Sequence, residues 1–141
     1  MNAFVAELIG TASKSKDGLM SSTDYSNNSI TVENSGSSTN KIFEIKNYNV
    51  DRCLVTFLSR DNANNIGSSI IAFNRRTHYV LVKSDFNRCN FYYMGEEPRR
   101  YFVSPISTYG SVEMRFMNGR EKIEIIDVSE SVNYTDLTKI V

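Results

Sequence analysis

Ser111-Val112-Glu113-Met114-Arg115-Phe116-Met117-Asn118-Gly119-Arg120-Glu121-Lys122-Ile123-Glu124-Ile125 contains two runs of strict alternation between apolar and charged residues. Successive side chains of an extended chain point to opposite faces. Val112, Met114, Phe116, Ile123 and Ile125 therefore fall on one side, and Glu113, Arg115, Lys122 and Glu124 on the other. A period of two marks half-buried strands. Between the runs, Asn118-Gly119 combines two residues that tolerate positive φ, and the pair predicts a tight hairpin.

The same texture extends back to Lys41: short β-branched and aromatic runs separated by Asn, Gly, Asp, Pro and Arg. It predicts strands near 41–47, 52–59, 68–74, 77–83, 89–94, 100–104, 110–117 and 121–128, with a looser turn at Gly95 to Pro98. One more strand fits Ile30 to Val32, and Ser129 to Val141 reads as a final strand or a short helix starting near Thr135. Strands at this spacing predict an all-β domain, an antiparallel β-sandwich or jelly roll. Three runs, Leu54 to Leu58, Ile70 to Phe73 and Tyr79 to Val82, are apolar on both faces. They are expected to be buried twice, either under a second layer of the same domain or against identical subunits.

The chain has 141 residues, 40% of them hydrophobic, enough for one domain with extra length for an arm. Its 16 basic and 16 acidic side chains cancel, so it lacks the long-range positive field of a phosphate-backbone binder; nucleic acid is not an expected partner. No run reaches the ~18 apolar residues of a membrane span, so no membrane insertion is expected. Met1 to Gly10 carries Glu7 and no basic lead, unlike a secretory signal, and synthesis in a cytosol is expected. Cys53 and Cys89 each follow an arginine at the head of an apolar run, which predicts buried strand thiols rather than a disulfide.

Ahead of the β region, Phe4, Val5, Leu8 and Ile9 are spaced to form one apolar stripe on a short helix or arm, and such a helix needs a partner to be stable. Residues 21–40 are dominated by Ser, Thr and Asn, a linker composition. The expected division is a docking arm and neck over 1–40 and a β knob over 41–141.

Between arm and linker lies Thr11-Ala12-Ser13-Lys14-Ser15-Lys16-Asp17-Gly18-Leu19-Met20-Ser21-Ser22-Thr23-Asp24-Tyr25. It resembles a segment of bacteriophage tail-fibre and related fibre proteins, in which an Ala-Thr-rich lead runs into Asp-Gly-Leu-Met-Ser and then an Asp. The family segment usually continues into a Lys-Leu-Asp helix, which Ser26-Asn27-Asn28 replaces here. The segment suits an oligomer junction: Gly18 permits a turn, Leu19 and Met20 offer a small apolar contact, and Asp17, Ser21 and Asp24 can cap N–H groups. The region after Asn40, with Arg52-Cys53-Leu54-Val55-Thr56-Phe57 and Arg99-Arg100-Tyr101-Phe102-Val103, is similar in texture to phage-fibre knobs. The resemblance implies a homotrimeric structural protein on the virion surface, of head or tail, with capsid or tail proteins as partners and host-surface polysaccharide as ligand. Phe4, Val5, Leu8, Ile9, Asp17, Gly18, Leu19 and Met20 are the expected attachment and oligomerisation residues.

Catalysis has no visible constellation. His78 is the single histidine and an isolated one makes no metal cluster; the chain has no nucleophile elbow, Walker loop or Cys-x-x-Cys pair. Glu96 and Glu97 are adjacent, so in an extended chain they face apart and make a poor acid–base pair. The expectation is a non-enzyme without metal or cofactor. Recognition is easier to place: Tyr92, Tyr101 and Tyr109 crowd near Arg99 and Arg100, and aromatic faces with polar tips suit sugars and protein surfaces. Phe91 and Tyr93 share one strand face and Tyr92 the other, so about half of these rings are expected in the core. Asp61-Asn62-Ala63-Asn64-Asn65 is read either as a loop that binds sugar hydroxyls or as an ordinary solvated turn, the second being the expectation. The competing reading of the chain is a soluble bacterial carbohydrate- or protein-binding β module.

Overall fold

The computed structural model describes residues 28–36, 39–49, 51–84, 88–96 and 98–141. The arm and junction residues Phe4, Val5, Leu8, Ile9, Asp17, Gly18, Leu19 and Met20 lie outside them. Ten strands follow in chain order: β1 (Ser29–Glu33), β2 (Phe43–Asn47), β3 (Cys53–Arg60), β4 (Ile66–Phe73), β5 (His78–Lys83), β6 (Cys89–Met94), β7 (Arg100–Pro105), β8 (Ser111–Phe116), β9 (Ile123–Asp127) and β10 (Thr138–Lys139). Short 3₁₀ pieces lie at Arg120–Lys122 and Tyr134–Asp136.

The strands form two antiparallel sheets of five, in the orders β1-β8-β3-β4-β5 and β10-β6-β7-β2-β9. The sheets stack as a sandwich. Val55, Phe57, Ile71, Val112, Met114 and Phe116 from the first meet Ile45, Phe91, Tyr101, Val103 and Ile123 from the second in one core. Alternation puts them there, since every second residue of a strand shares a face. Rings interlock across the gap: Phe57 lies 5.0 Å from Phe91, and Phe73 lies 4.5 Å from Tyr101.

The outer face of the second sheet is also covered. Ile42, Tyr92, Phe102 and Val128 form a smaller core beneath Val132 and Leu137, so the C-terminal stretch is a lid that ends in the short strand β10 beside β6. Both expectations for this stretch are met, by a helical turn and then a strand. The outer face of the first sheet has no such cover within the described residues. Leu58, Tyr79, Leu81 and Val82 are 45–68% exposed. The double burial expected for these runs is therefore not supplied by the described residues; among them β3 and β4 bury one face, and β5 remains open on both.

The hairpin expected at Asn118-Gly119 is also corrected. β8 pairs with β1 and β3, whereas β9 pairs with β2, so residues 117–122 carry the chain from one sheet to the other. Gly119 does adopt a left-handed φ of 76°. Asn118, however, spends its side chain on β3: its amide nitrogen donates to the Arg52 carbonyl, and its oxygen accepts from the Leu54 N–H. Both runs are half-buried as expected, but their apolar sides face the core from opposite sheets. Cys53 and Cys89 are buried free thiols at opposite ends of the sandwich, and burial pushes both thiols up to about 12.

Candidate functional site

Because strand directions alternate, the turns 48–52, 74–77, 95–99 and 117–122 gather at one end of the sandwich. There, β2 with its following turn, Arg75 of the β4–β5 turn and Pro98, Arg99 and Arg100 wall a cavity of about 310 Å³. Glu44, Lys46, Tyr48, Asn47 and Asn49 complete the lining. That volume is at the small end of ligand pockets and suits one or two sugar rings.

The end is held rigid by one arginine. Arg99 donates from its backbone N–H to the Arg75 carbonyl at 2.6 Å, from Nη2 to Glu96 Oε2 at 2.6 Å, and from Nη1 to His78 Nδ1 at 2.9 Å. Its guanidinium also lies over the Tyr93 ring, 4.5 Å from the centroid. A guanidinium can only donate, so His78 accepts at Nδ1, which makes it the neutral tautomer with its proton on Nε2. Burial first, and the Arg99 charge second, hold the His78 pKa below its ordinary 6.5; Glu96 pulls the other way. The single histidine is thus half-buried and bonded. Arg99 therefore clamps the turn of one sheet to the turn of the other.

Charges on the cavity wall do not balance. Arg100 is paired with Glu44 and Arg99 with Glu96, whereas Lys46 and Arg75 form no ion pair with a described carboxylate. Arg75 instead donates from Nη1 to Asn49 Oδ1 at 2.7 Å, and the Lys46 ammonium lies 5.3 Å from the Tyr48 ring centroid. Tyr48 is half exposed, with its hydroxyl donating to Glu124. The wall therefore offers an aromatic face, two amides and two cations outside any ion pair with a described carboxylate; its acids are Glu44, held by Arg100, and Glu124, opposite Lys46 and bonded to Tyr48. It can bind a polar, anionic ligand, with stacking on the ring and hydrogen bonds to its edges. Among the described residues no group of His, Cys, Asp and Glu could hold a metal ion.

Of the five residues expected to contact a ligand, only Arg99 and Arg100 line this cavity. Tyr101 is fully buried; its hydroxyl donates within the β4–β5 turn, to the carbonyls of Asn74 and Thr77, and burial raises its pKa to about 12. Tyr92 is buried under the C-terminal lid, edge-on to Tyr134. Tyr109 is exposed but belongs to the turn after β7, beside Gly36, at the opposite end of the sandwich from Arg100. Neither Tyr92 nor Tyr101 is available as a surface contact, because both rings satisfy cores that the sequence could not assign. Lys46, Tyr48, Asn49 and Arg75 were not anticipated. Only their position in one cluster of turns singles them out, and turns 48–52 and 74–77 are neighbours only after folding. The Asp61–Asn65 loop is the ordinary turn expected: the Asp61 carboxylate accepts from the N–H groups of Ala63 and Asn65 and pairs with Arg88.

No family model matches the chain, and no curated protein or solved structure matches it. Function is read from the residues and the geometry.

Proposed function

We propose that the chain is a structural fibre protein of a bacteriophage virion, attached and trimerised through its N-terminal segment and carrying the β-sandwich as a knob that binds host-surface glycan. The carrying observation is the segment Asp17-Gly18-Leu19-Met20-Ser21 with Asp24, which resembles the fibre junction and stands directly ahead of a Ser/Thr/Asn-rich stretch and the folded unit. The cavity walled by Lys46, Tyr48, Asn49 and Arg75 supports the glycan part of the reading. Its two cations, in no ion pair with a described carboxylate, favour an acidic sugar over a neutral one.

Particles purified from the phage whose genome encodes the chain are the test, probed with an antibody against the sandwich. The antibody labels intact particles, and deletion of residues 1–10 leaves the chain in the soluble fraction. Truncated protein that still incorporates sinks the attachment role of the arm. Particles without the chain sink the reading as a whole.

A further inference from the structure

We infer that the uncovered outer face of the first sheet, at its β5 edge, is where a second copy of this chain docks. The inference rests on the self-assembling reading above and adds to its N-terminal junction a second contact between copies. Register places the outward residues of three strands side by side: Leu54 beside Ala72 and Ala72 beside Tyr79, then Thr56 beside Ile70 and Ile70 beside Val82. A bulge between Ile70 and Ile71 inserts Leu81 into β5, which brings Tyr79 and Val82 onto the same face although they are three residues apart. Ile66 and Leu58 extend this patch along β4 and β3.

Such a face is not what a solitary sheet presents to water. Outward positions of a solvated antiparallel sheet are polar, as Ser29, Thr31, Glu33, Glu113 and Arg115 are on the β1–β8 side of this same sheet. The other edges are guarded: β1 is Ser-Ile-Thr-Val-Glu, β10 has two residues, and β9 ends in Ile126 and Asp127 under the start of the lid. β5, His-Tyr-Val-Leu-Val-Lys, has its outer edge unpaired among the described residues and keeps a charge only at its last position. Leu58, Ile66, Tyr79 and Val82 on this face, with Leu81 in the bulge, are exposed by 45–68% and offer on the order of 500 Å², against the ~800 Å² each partner brings to a standard interface. Zero net charge leaves no long-range repulsion between copies.

The arm of the same chain is the competing occupant. β1, the first described strand, is the opposite edge of the sheet, and the polar strip of Glu113 and Arg115 lies between it and the patch. A second copy meets the patch with an equal one, and the polar strip becomes its rim.

Sedimentation of the full-length chain at micromolar concentration, with Tyr79→Lys/Val82→Lys as the variant, decides the matter. Wild type sediments as a multiple of 16.0 kDa. The variant keeps its β circular dichroism and dissociates at least tenfold more readily. If the variant assembles like wild type, this face is not the contact, while self-assembly stands. A monomeric wild type removes both. Hydrogen exchange of the wild type makes the test independent of how the variant folds: β5 amides are protected in the assembly and exchange on dilution, and β5 amides that exchange freely in the assembly overturn the inference.

Discussion

Arg100 grips the Glu44 carboxylate with two parallel hydrogen bonds, Nε to Oε2 at 3.0 Å and Nη2 to Oε1 at 2.8 Å, across the outer face of β7 and β2. The two partners differ in exposure: the Glu44 side chain is 9% exposed and that of Arg100 43%. Each can therefore lose its partner at a different cost. Arg100→Ala strands a buried carboxylate and is expected to cost about 3 kcal/mol. Glu44→Gln keeps one bond and leaves a cation that water can reach, so about 1 kcal/mol is expected. Urea denaturation of the two variants checks the inequality, and equal losses would contradict this account.

Stability falls on mild acidification because of His78. Its pKa is lowered in the folded state by burial and by Arg99, so the unfolded chain binds the proton more readily. The stabilisation is complete above the ordinary value of 6.5 and is lost as pH falls from there through the lower folded value. Protonation also removes the lone pair that accepts from Arg99. The melting temperature is expected to drop between pH 6.5 and 5. His78→Asn lacks this slope, whatever its overall stability. The Asp61 pKa is lowered by its bonds to Asn65, so its contribution lies in a separate, more acidic window, full above its ordinary 3.8 and lost as pH falls below it.

Cys53 and Cys89 stay inert in the native protein. Both are at most 2% exposed, and burial raises their pKa, so neither presents a thiolate. A thiol reagent at neutral pH should label neither over minutes and both at once in denaturant. Rapid native labelling would show that the core opens locally.

Arg75→Ala and Tyr48→Ala are expected to leave the fold within about 0.5 kcal/mol of wild type, since both act at the surface. Each should weaken binding of carboxylate-bearing oligosaccharides about tenfold, read by calorimetry against neutral oligosaccharides as control. Unchanged binding in both variants would remove the cavity as the sugar site.

The strands were legible because alternation is local. All eight runs between Lys41 and Val128 became strands, and the faces assigned to Val112, Met114, Phe116 and Ile123 are those that point into the core. The aromatic cluster was legible only as a group. Tyr92, Tyr93 and Tyr101 have similar neighbours in sequence, yet one is roofed by the C-terminal stretch, one carries the Arg99 guanidinium and one lies at the centre of the sandwich. Their fates depend on what covers each face, which periodicity does not contain.

By itself, the sequence determined that this chain makes β-strands and which side of most of them is apolar; both follow from side-chain direction and residue order. Tertiary structure alone decided that Asn118-Gly119 crosses between sheets, that four turns meet around Lys46, Tyr48, Asn49 and Arg75, and that the other described residues leave β5 uncovered. Pairing between strands distant in the chain is set by the summed burial of both sheets. No short stretch carries that sum, so the site and the open face exist only once the sandwich has closed.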